Sequence, residues 1–294
     1  MQATVLSQVI LPASLFIIML GMGLSLKLAD FSRVITYPKA AFIGITSQML
    51  LLPLVGYIMV ILFGFTAELA VGLMLLTFCP GGVTSNMYSY LSGGDTALSI
   101  SLTAVVSLIT PFSIPLLTVW MMDIFMAESQ AFSLPLGKTI AQLVVITIVP
   151  VAIGMWIHAK WPSFSAKADK PVKILSLVFL FVIIAGIVAN EWANMADYFL
   201  TTGLATFILN VSTLALGFFI AKWTGLNKAQ SISIGIEVGI QNGTLALLVA
   251  NSILQNPLMT TPAITYSLLM FVTGAGFGYL VSGASTNTDV KNLP

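Results

Sequence analysis

Apolar residues run along this chain in blocks long enough to cross a bilayer, separated by short polar stretches that hold nearly all of the charge. About 20 helical residues span the hydrocarbon layer, so the chain is cut at its charges, prolines and polar clusters. The cuts predict nine spans, at 5–26, 38–64, 67–91, 96–121, 136–158, 172–190, 197–221, 229–254 and 261–282. Strands do not fit, because these runs lack the period-2 alternation of a membrane barrel. The expected fold is an all-α polytopic membrane protein, with residues 1–294 forming a single transmembrane domain.

Assigning alternate loops to opposite sides sorts the basic residues. One side receives Lys27, Arg33, Lys39, Lys160, Lys167, Lys170, Lys173, Lys222, Lys228 and Lys291, leaving Lys138 alone of the 11 on the other. That second side also holds Glu68, Asp123, Glu128, Glu191 and Asp197. Cytoplasmic loops collect Lys and Arg, so the N-terminus is expected outside and the C-terminus in the cytoplasm. Trp120, Trp156, Trp161, Trp192 and Trp223 fall at or just beyond proposed helix ends, where amphipathic rings anchor at the interface. The leader "MQATVLSQ" has no basic residue, so the first apolar segment reads as a retained helix rather than a signal peptide.

Composition narrows the classes further. Charged residues make up 7% of the chain against roughly 25% in soluble domains, and mean hydropathy is +1.03. With 11 basic and 10 acidic residues there is no charge excess for a nucleic-acid partner, and a single cysteine, Cys79, excludes an intramolecular disulfide.

Two spans carry internal breaks. The third reads "LAVGLMLLTFCPGGVTSNMYSYLSGG", with Pro80, Gly81 and Gly82 in its middle, and the eighth has Gly235, Gly239 and Gly243 around "EVGIQN". Proline removes a backbone donor, and adjacent glycines make an unwound segment easy to form. Free backbone groups at bilayer depth are tolerated only where protein buries them or a hydrated cavity receives them. The two broken spans lie five apart, an offset that reverses membrane direction. This is the pattern of an inverted repeat with two crossing discontinuous helices, spans 1–4 answering spans 6–9. The plainer reading is ordinary kinking or close helix packing.

Glu237 stands alone in an uncharged stretch between Lys228 and Asp289. A charge at a helix centre costs about 2.5–3.5 kcal/mol on insertion scales, and no Lys or Arg lies in the interior of any expected span to pair with it, Lys39, Lys138 and Lys173 standing at span ends. Protonation, a bound cation or exposure to a wide aqueous channel remain. Oxygen donors cluster on the partner elements: Ser85 and Asn86 after the first break, Gln241 and Asn242 beside the second, and Gln48 inside span 2. Ser99 and Thr103 are four residues apart, hence on one helical face, and unwound carbonyls near Val238 and Ile240 add further oxygens. One carboxylate with neutral oxygens suits a monovalent cation better than Ca²⁺ or Mg²⁺, and sodium is the expected ion. Each donor has a duller role: Ser and Thr bond the carbonyl one turn back, while Gln and Asn join helices. Cys79 reads as a packing residue, His158 as an interfacial side chain, and Lys160 to Lys173 as a topology signal.

"MLGMGLSLKLADF" at 19–31, "CPGGVTSNMYSYLSGGDTALSISLTA" at 79–104, "AKWTGL" at 221–226 and "IEVGIQN" at 236–242 resemble the bile acid:sodium symporter family, also called the solute carrier family of bile acid and organic anion transporters. The resemblance implies a panel domain of spans 1, 5 and 6 (about 5–26 and 136–190) and a core of spans 2–4 and 7–9 (about 38–121 and 197–282). It implies one sodium site of Ser85, Asn86, Ser99, Thr103 and Glu237, and a second of Gln48, Glu237, Gln241 and the carbonyls of Val238 and Ile240. Asn242, with Asn86 and Thr84, would face substrate. Bacterial relatives often have ten helices, whereas this chain begins where their second would, as in the animal carriers.

The expected function is a sodium-coupled symporter of an organic anion, bile-acid-like or a smaller carboxylate. It would work by alternating access in a bacterial inner membrane, with no enzymatic step and no cofactor beyond the coupling ions. The rival is a proton-coupled or efflux carrier resembling arsenite exporters, in which Glu237 titrates and Cys79 touches substrate. A non-transporting receptor and an intramembrane enzyme are further alternatives; an enzyme would usually need paired acids or a nucleophile with its base.

Overall fold

The computed structural model describes residues 11–127, 134–190 and 192–282. Residues 5–10 of the first expected span, the expected loop charges Glu128, Glu191 and Lys291, and Asp289 lie outside these residues, as do the side chains of Lys170 and Lys173. Among the described residues every regular element is helical and no strand occurs.

The helices, in order, are α1 (Leu11–Ser25), α2 (Leu28–Thr36), α3 (Pro38–Phe63), α4 (Ala67–Phe78), α5 (Val83–Leu91), α6 (Thr96–Phe125), α7 (Leu136–Lys160), α8 (Pro162–Asn190), α9 (Trp192–Trp223), α10 (Lys228–Gly239), α11 (Gly243–Leu247), which runs on as a π turn over Leu248–Ile253, and α12 (Leu258–Ser282). Six helices among the described residues are long and apolar enough to cross a membrane. The number rises to eight if α1 with α2, bent by 68°, and α4 with α5, bent by 62°, each count as one span.

Two boundaries depart from the sequence pattern. Residues 27–37 were expected as a loop because they hold Lys27, Asp30 and Arg33, yet 28–36 form a helix in which no residue is buried. Its start is fixed by Lys27 N donating to Asp30 Oδ2 at 2.8 Å, and Leu28 and Ile35 stand exposed beside its charges. Such an amphipathic composition suits a helix lying in the headgroup region rather than crossing it. Similarly, α8 starts at Pro162 rather than 172 and carries Pro171 within it. Charges ended the expected span, but a helix continues past the bilayer when its first turns meet water. The five tryptophans expected at helix ends are all exposed.

The span Lys228–Ile253 is buried along its full apolar window, so α10 and α11 occupy the middle of the molecule. Small residues hold the surrounding helices close, as they must where lipid supplies no hydrophobic drive between helices. On α1 and α7, a Cβ at Gly23 would overlap the Val151 carbonyl, and one at Gly154 would overlap the Leu20 carbonyl. On α9 and α10, a Cβ at Gly217 would lie 3.0 Å from Gly235 Cα, and one at Gly235 would lie 2.8 Å from the Leu214 carbonyl oxygen. The α1, α7 and α8 ends are clasped by His158 and Ser165: His158 Nδ1 lies 2.7 Å from the Leu24 carbonyl oxygen and 3.1 Å from Ser165 Oγ, which itself donates to Leu24 O at 2.6 Å.

Two glycines on the same helix test this packing. Gly154→Ala is expected to cost about 1–3 kcal/mol, since backbone rather than a flexible side chain must move. Gly137 faces open space, so Gly137→Ala should leave stability unchanged or slightly raised. Thermal unfolding of the two variants in one detergent checks the contrast.

Candidate functional site

The first break follows from its composition. Pro80 disfavours helical geometry in the residue before it, and Cys79 is accordingly extended at φ −73°, ψ 150°. Helix restarts at Val83, where Ser85 closes the turn: its Oγ accepts from Gly82 N at 3.0 Å and donates to Gly82 O at 2.8 Å. The second break opens after Gly239, with Ile240 extended at φ −103°, ψ 105°. Asn242 caps α11, its Oδ1 accepting from Leu245 N at 3.1 Å. The two breaks touch directly, for Asn242 N donates to the Pro80 carbonyl at 2.9 Å.

Glu237, 1% exposed, lies on α10 two residues before that helix ends. Its Oε2 is 3.1 Å from Ser99 Oγ and its Oε1 is 2.5 Å from Thr103 Oγ1. The same hydroxyls lie 2.8 Å and 3.2 Å from Asn86 Oδ1. A Cβ at Gly81 would overlap both Glu237 Oε1 and Ser85 Oγ, so Gly81 is where α4–α5 passes closest to the carboxylate and Ser85 sits at the same spot. Ser85, Asn86, Ser99, Thr103 and Glu237 are therefore brought together. Four close oxygen contacts share two hydroxyl protons, since each hydroxyl donates only one. The cluster has more lone pairs than protons to occupy them.

A second group adjoins it. Gln48, in a π turn of α3, donates through Nε2 to the Cys79 carbonyl at 3.0 Å and to Gln241 Oε1 at 2.8 Å. Gln241 Nε2 donates in turn to the carbonyls of Val238 at 2.7 Å and Glu237 at 3.3 Å. Gln48 Oε1 is buried and accepts no hydrogen bond among the described residues. Ile240 is buried at the same break. Thr84 is half-buried in the first turn of α5 and joins neither group's hydrogen bonds among the described residues.

Chemically, the two groups offer one carboxylate with hydroxyl, amide and carbonyl oxygens. No group of three or more His, Cys, Asp or Glu occurs among the described residues, so a soft metal or a multiply charged cation lacks its usual ligands. Cys79 is buried with its Sγ directed at the Leu75 carbonyl, 3.4 Å away. Sequence spacing missed two contributors. Asn210 on α9 and Tyr266 on α12 both donate to the Gly239 carbonyl, each at 2.7 Å, and Thr273 donates to Asn210 Oδ1. Their partner is a backbone atom on another helix, which leaves no signature in the sequence.

Residues 12–198 match the family model described as "Sodium Bile acid symporter family". The chain is 28% identical over 259 residues to an uncharacterized sodium-dependent transporter, YocS, of Bacillus subtilis, covering 88% of this chain and 78% of the relative. It is 27% identical over 258 residues to a probable chloroplastic sodium/metabolite cotransporter, BASS2, of Oryza sativa, covering 88% of this chain and 60% of that protein. To the ileal sodium/bile acid cotransporter of Homo sapiens it is 29% identical over 247 residues, covering 82% and 69% respectively.

Gly81→Ala is expected to push the Glu237 carboxylate away from Ser99 and Thr103 at a cost of about 1–3 kcal/mol. Gly82→Ala should stay within about 0.5 kcal/mol of the unsubstituted chain, because its added methyl would meet only Asn242 Nδ2, at 3.9 Å. Unfolding midpoints of the two neighbouring variants distinguish the positions.

Proposed function

This chain belongs to the sodium bile acid symporter family, and from that premise we propose that it is a sodium-coupled symporter of an organic anion, bile-acid-like or a smaller carboxylate. Family members are transporters, not enzymes, and sodium is the coupling ion of the family. The observation that supports this reading best is the crowd of oxygens around Glu237, where the Ser85, Ser99 and Thr103 hydroxyls and the Asn86 amide oxygen gather at one buried carboxylate. A small cation placed there would turn the surplus lone pairs into ligands.

In this reading the first sodium is held by Ser85, Asn86, Ser99, Thr103 and Glu237, and the second by Gln48, Glu237, Gln241 and the carbonyls of Val238 and Ile240. Gln48 Oε1, with both partners of its amide nitrogen fixed, has an oxygen to give. Sodium neutralises the buried carboxylate and draws the two breaks together. Thr84, Asn86 and Asn242 line the crossing where substrate binds, and the N-terminal ends of the half-helices starting at Val83 and Gly243 favour an anion there. Substrate and ion must together favour a state that can open to the other side, as alternating access requires.

The same reading divides nine spans into a panel (about 5–26 and 136–190, α8 included) and a core (about 38–121 and 197–282) related as inverted repeats. It places the N-terminus outside and the basic loops in the cytoplasm of a bacterial inner membrane.

Sodium should stabilise the purified protein over equimolar potassium, by about 2.7 kcal/mol at a hundredfold excess over its dissociation constant. Glu237→Ala should abolish that difference and reduce sodium-stimulated uptake into proteoliposomes to background, while the variant still inserts. Uptake driven by a sodium gradient at fixed pH is compared with uptake in potassium under an imposed pH gradient: full activity in the second condition would replace this mechanism with the proton-driven one.

A further inference from the structure

We propose that Asn210 and Tyr266, which lie outside both ligand sets, set the affinity of the second sodium site by fixing the peptide that follows Gly239. The proposal rests on the sodium reading above. When α10 stops at Gly239 its last carbonyls lose their intrahelical partners and must find others. Those of Glu237 and Val238 accept from Gln241 Nε2, and that of Ile236 accepts from Ile240 N. The Gly239 carbonyl alone turns away from this group, towards α9 and α12, where Asn210 Nδ2 and Tyr266 OH both donate to it at 2.7 Å.

Two donors fill both lone pairs of a carbonyl oxygen, so Gly239 O has none left for an ion. They also fix its direction. Ile240 is extended, and in extended backbone successive carbonyls point to opposite sides. Holding the Gly239 carbonyl towards α9 and α12 therefore sends the Ile240 carbonyl the other way, away from those two helices. Both anchoring side chains are 0% exposed, and Thr273 donates to Asn210 Oδ1, which orients the amide so that its nitrogen faces Gly239. Gly239 itself is closely packed, for a Cβ there would overlap the Leu214 side chain. Asn210 and Tyr266 are thus positioning residues: they touch no ion, and they decide where a ligand carbonyl points. Groups that orient metal ligands from behind commonly change affinity by roughly 10- to 100-fold when removed.

The test uses Tyr266→Phe, which keeps the buried ring and deletes one donor, alongside Thr202→Val. Thr202 bonds Thr265 at 2.9 Å across the same two helices but donates nothing to Gly239, so it controls for a general loss of helix contact. Thermal midpoints are titrated with sodium chloride against potassium chloride for the whole protein in detergent, and uptake is titrated with sodium in proteoliposomes. Tyr266→Phe should raise the half-saturating sodium concentration roughly 10-fold and flatten its sodium dependence, with uptake recovered at saturating sodium. Thr202→Val should leave the half-saturating concentration unchanged. A wild-type protein with no sodium response would overturn the sodium reading and this proposal with it. A responsive wild type with an unshifted Tyr266→Phe, or equal shifts in both variants, would overturn the positioning role alone.

Discussion

Backbone that leaves a helix at the depth of a bilayer must find its hydrogen-bond partners inside the protein, because lipid has none to offer. Here the two interrupted helices partly satisfy each other, where Asn242 N donates to the Pro80 carbonyl. The rest of the centre depends on that contact. It brings the chain after Pro80, with Gly81, Ser85 and Asn86, against the end of α10 that carries Glu237. It also sets Gln48 between the Cys79 carbonyl of one break and Gln241 of the other. Without two breaks in contact, the carboxylate would face an unbroken helix with its polar groups already paired.

The electrostatics follow from the same arrangement. Glu237 is surrounded by neutral oxygen and hydroxyl groups rather than by a basic side chain, and its span is the buried centre of the molecule. A permanent partner such as Arg would have offset part of the cost of burying the charge, while adding the desolvation of its own guanidinium. Hydroxyls and amides solvate the carboxylate without neutralising it and keep their own oxygens close by.

Much of this was legible in the chain before any coordinates. Pro80, Gly81 and Gly82 declare a break by their backbone chemistry, a lone mid-span Glu237 declares a polar centre by its insertion cost, and Ser99 and Thr103 share a face by their spacing. These signals are local, so one sequence carries them. Residues 28–36 were hidden because a charge-based division of the chain treats Lys27, Asp30 and Arg33 as loop, though a helix lying in the interface needs charges beside its apolar side chains. The beginning of α8 was hidden for the same reason. The bonds from His158 that tie α7 to the Leu24 carbonyl of α1 and to Ser165 were also hidden, a pairing set by tertiary approach. Asn210 and Tyr266 were beyond reach in the same way, since their acceptor is a main-chain oxygen that any residue type would present.

The glycine contact between α9 and α10 bears on how such a centre can move. With Gly217 against Gly235 and Leu214 against Gly235 and Gly239, the two backbones interlock too closely for one to slide or roll past the other. Mechanically they are one strut of two helices. A displacement of α10 that kept these contacts would carry α9 with it, so the two helices would count as one moving piece rather than two.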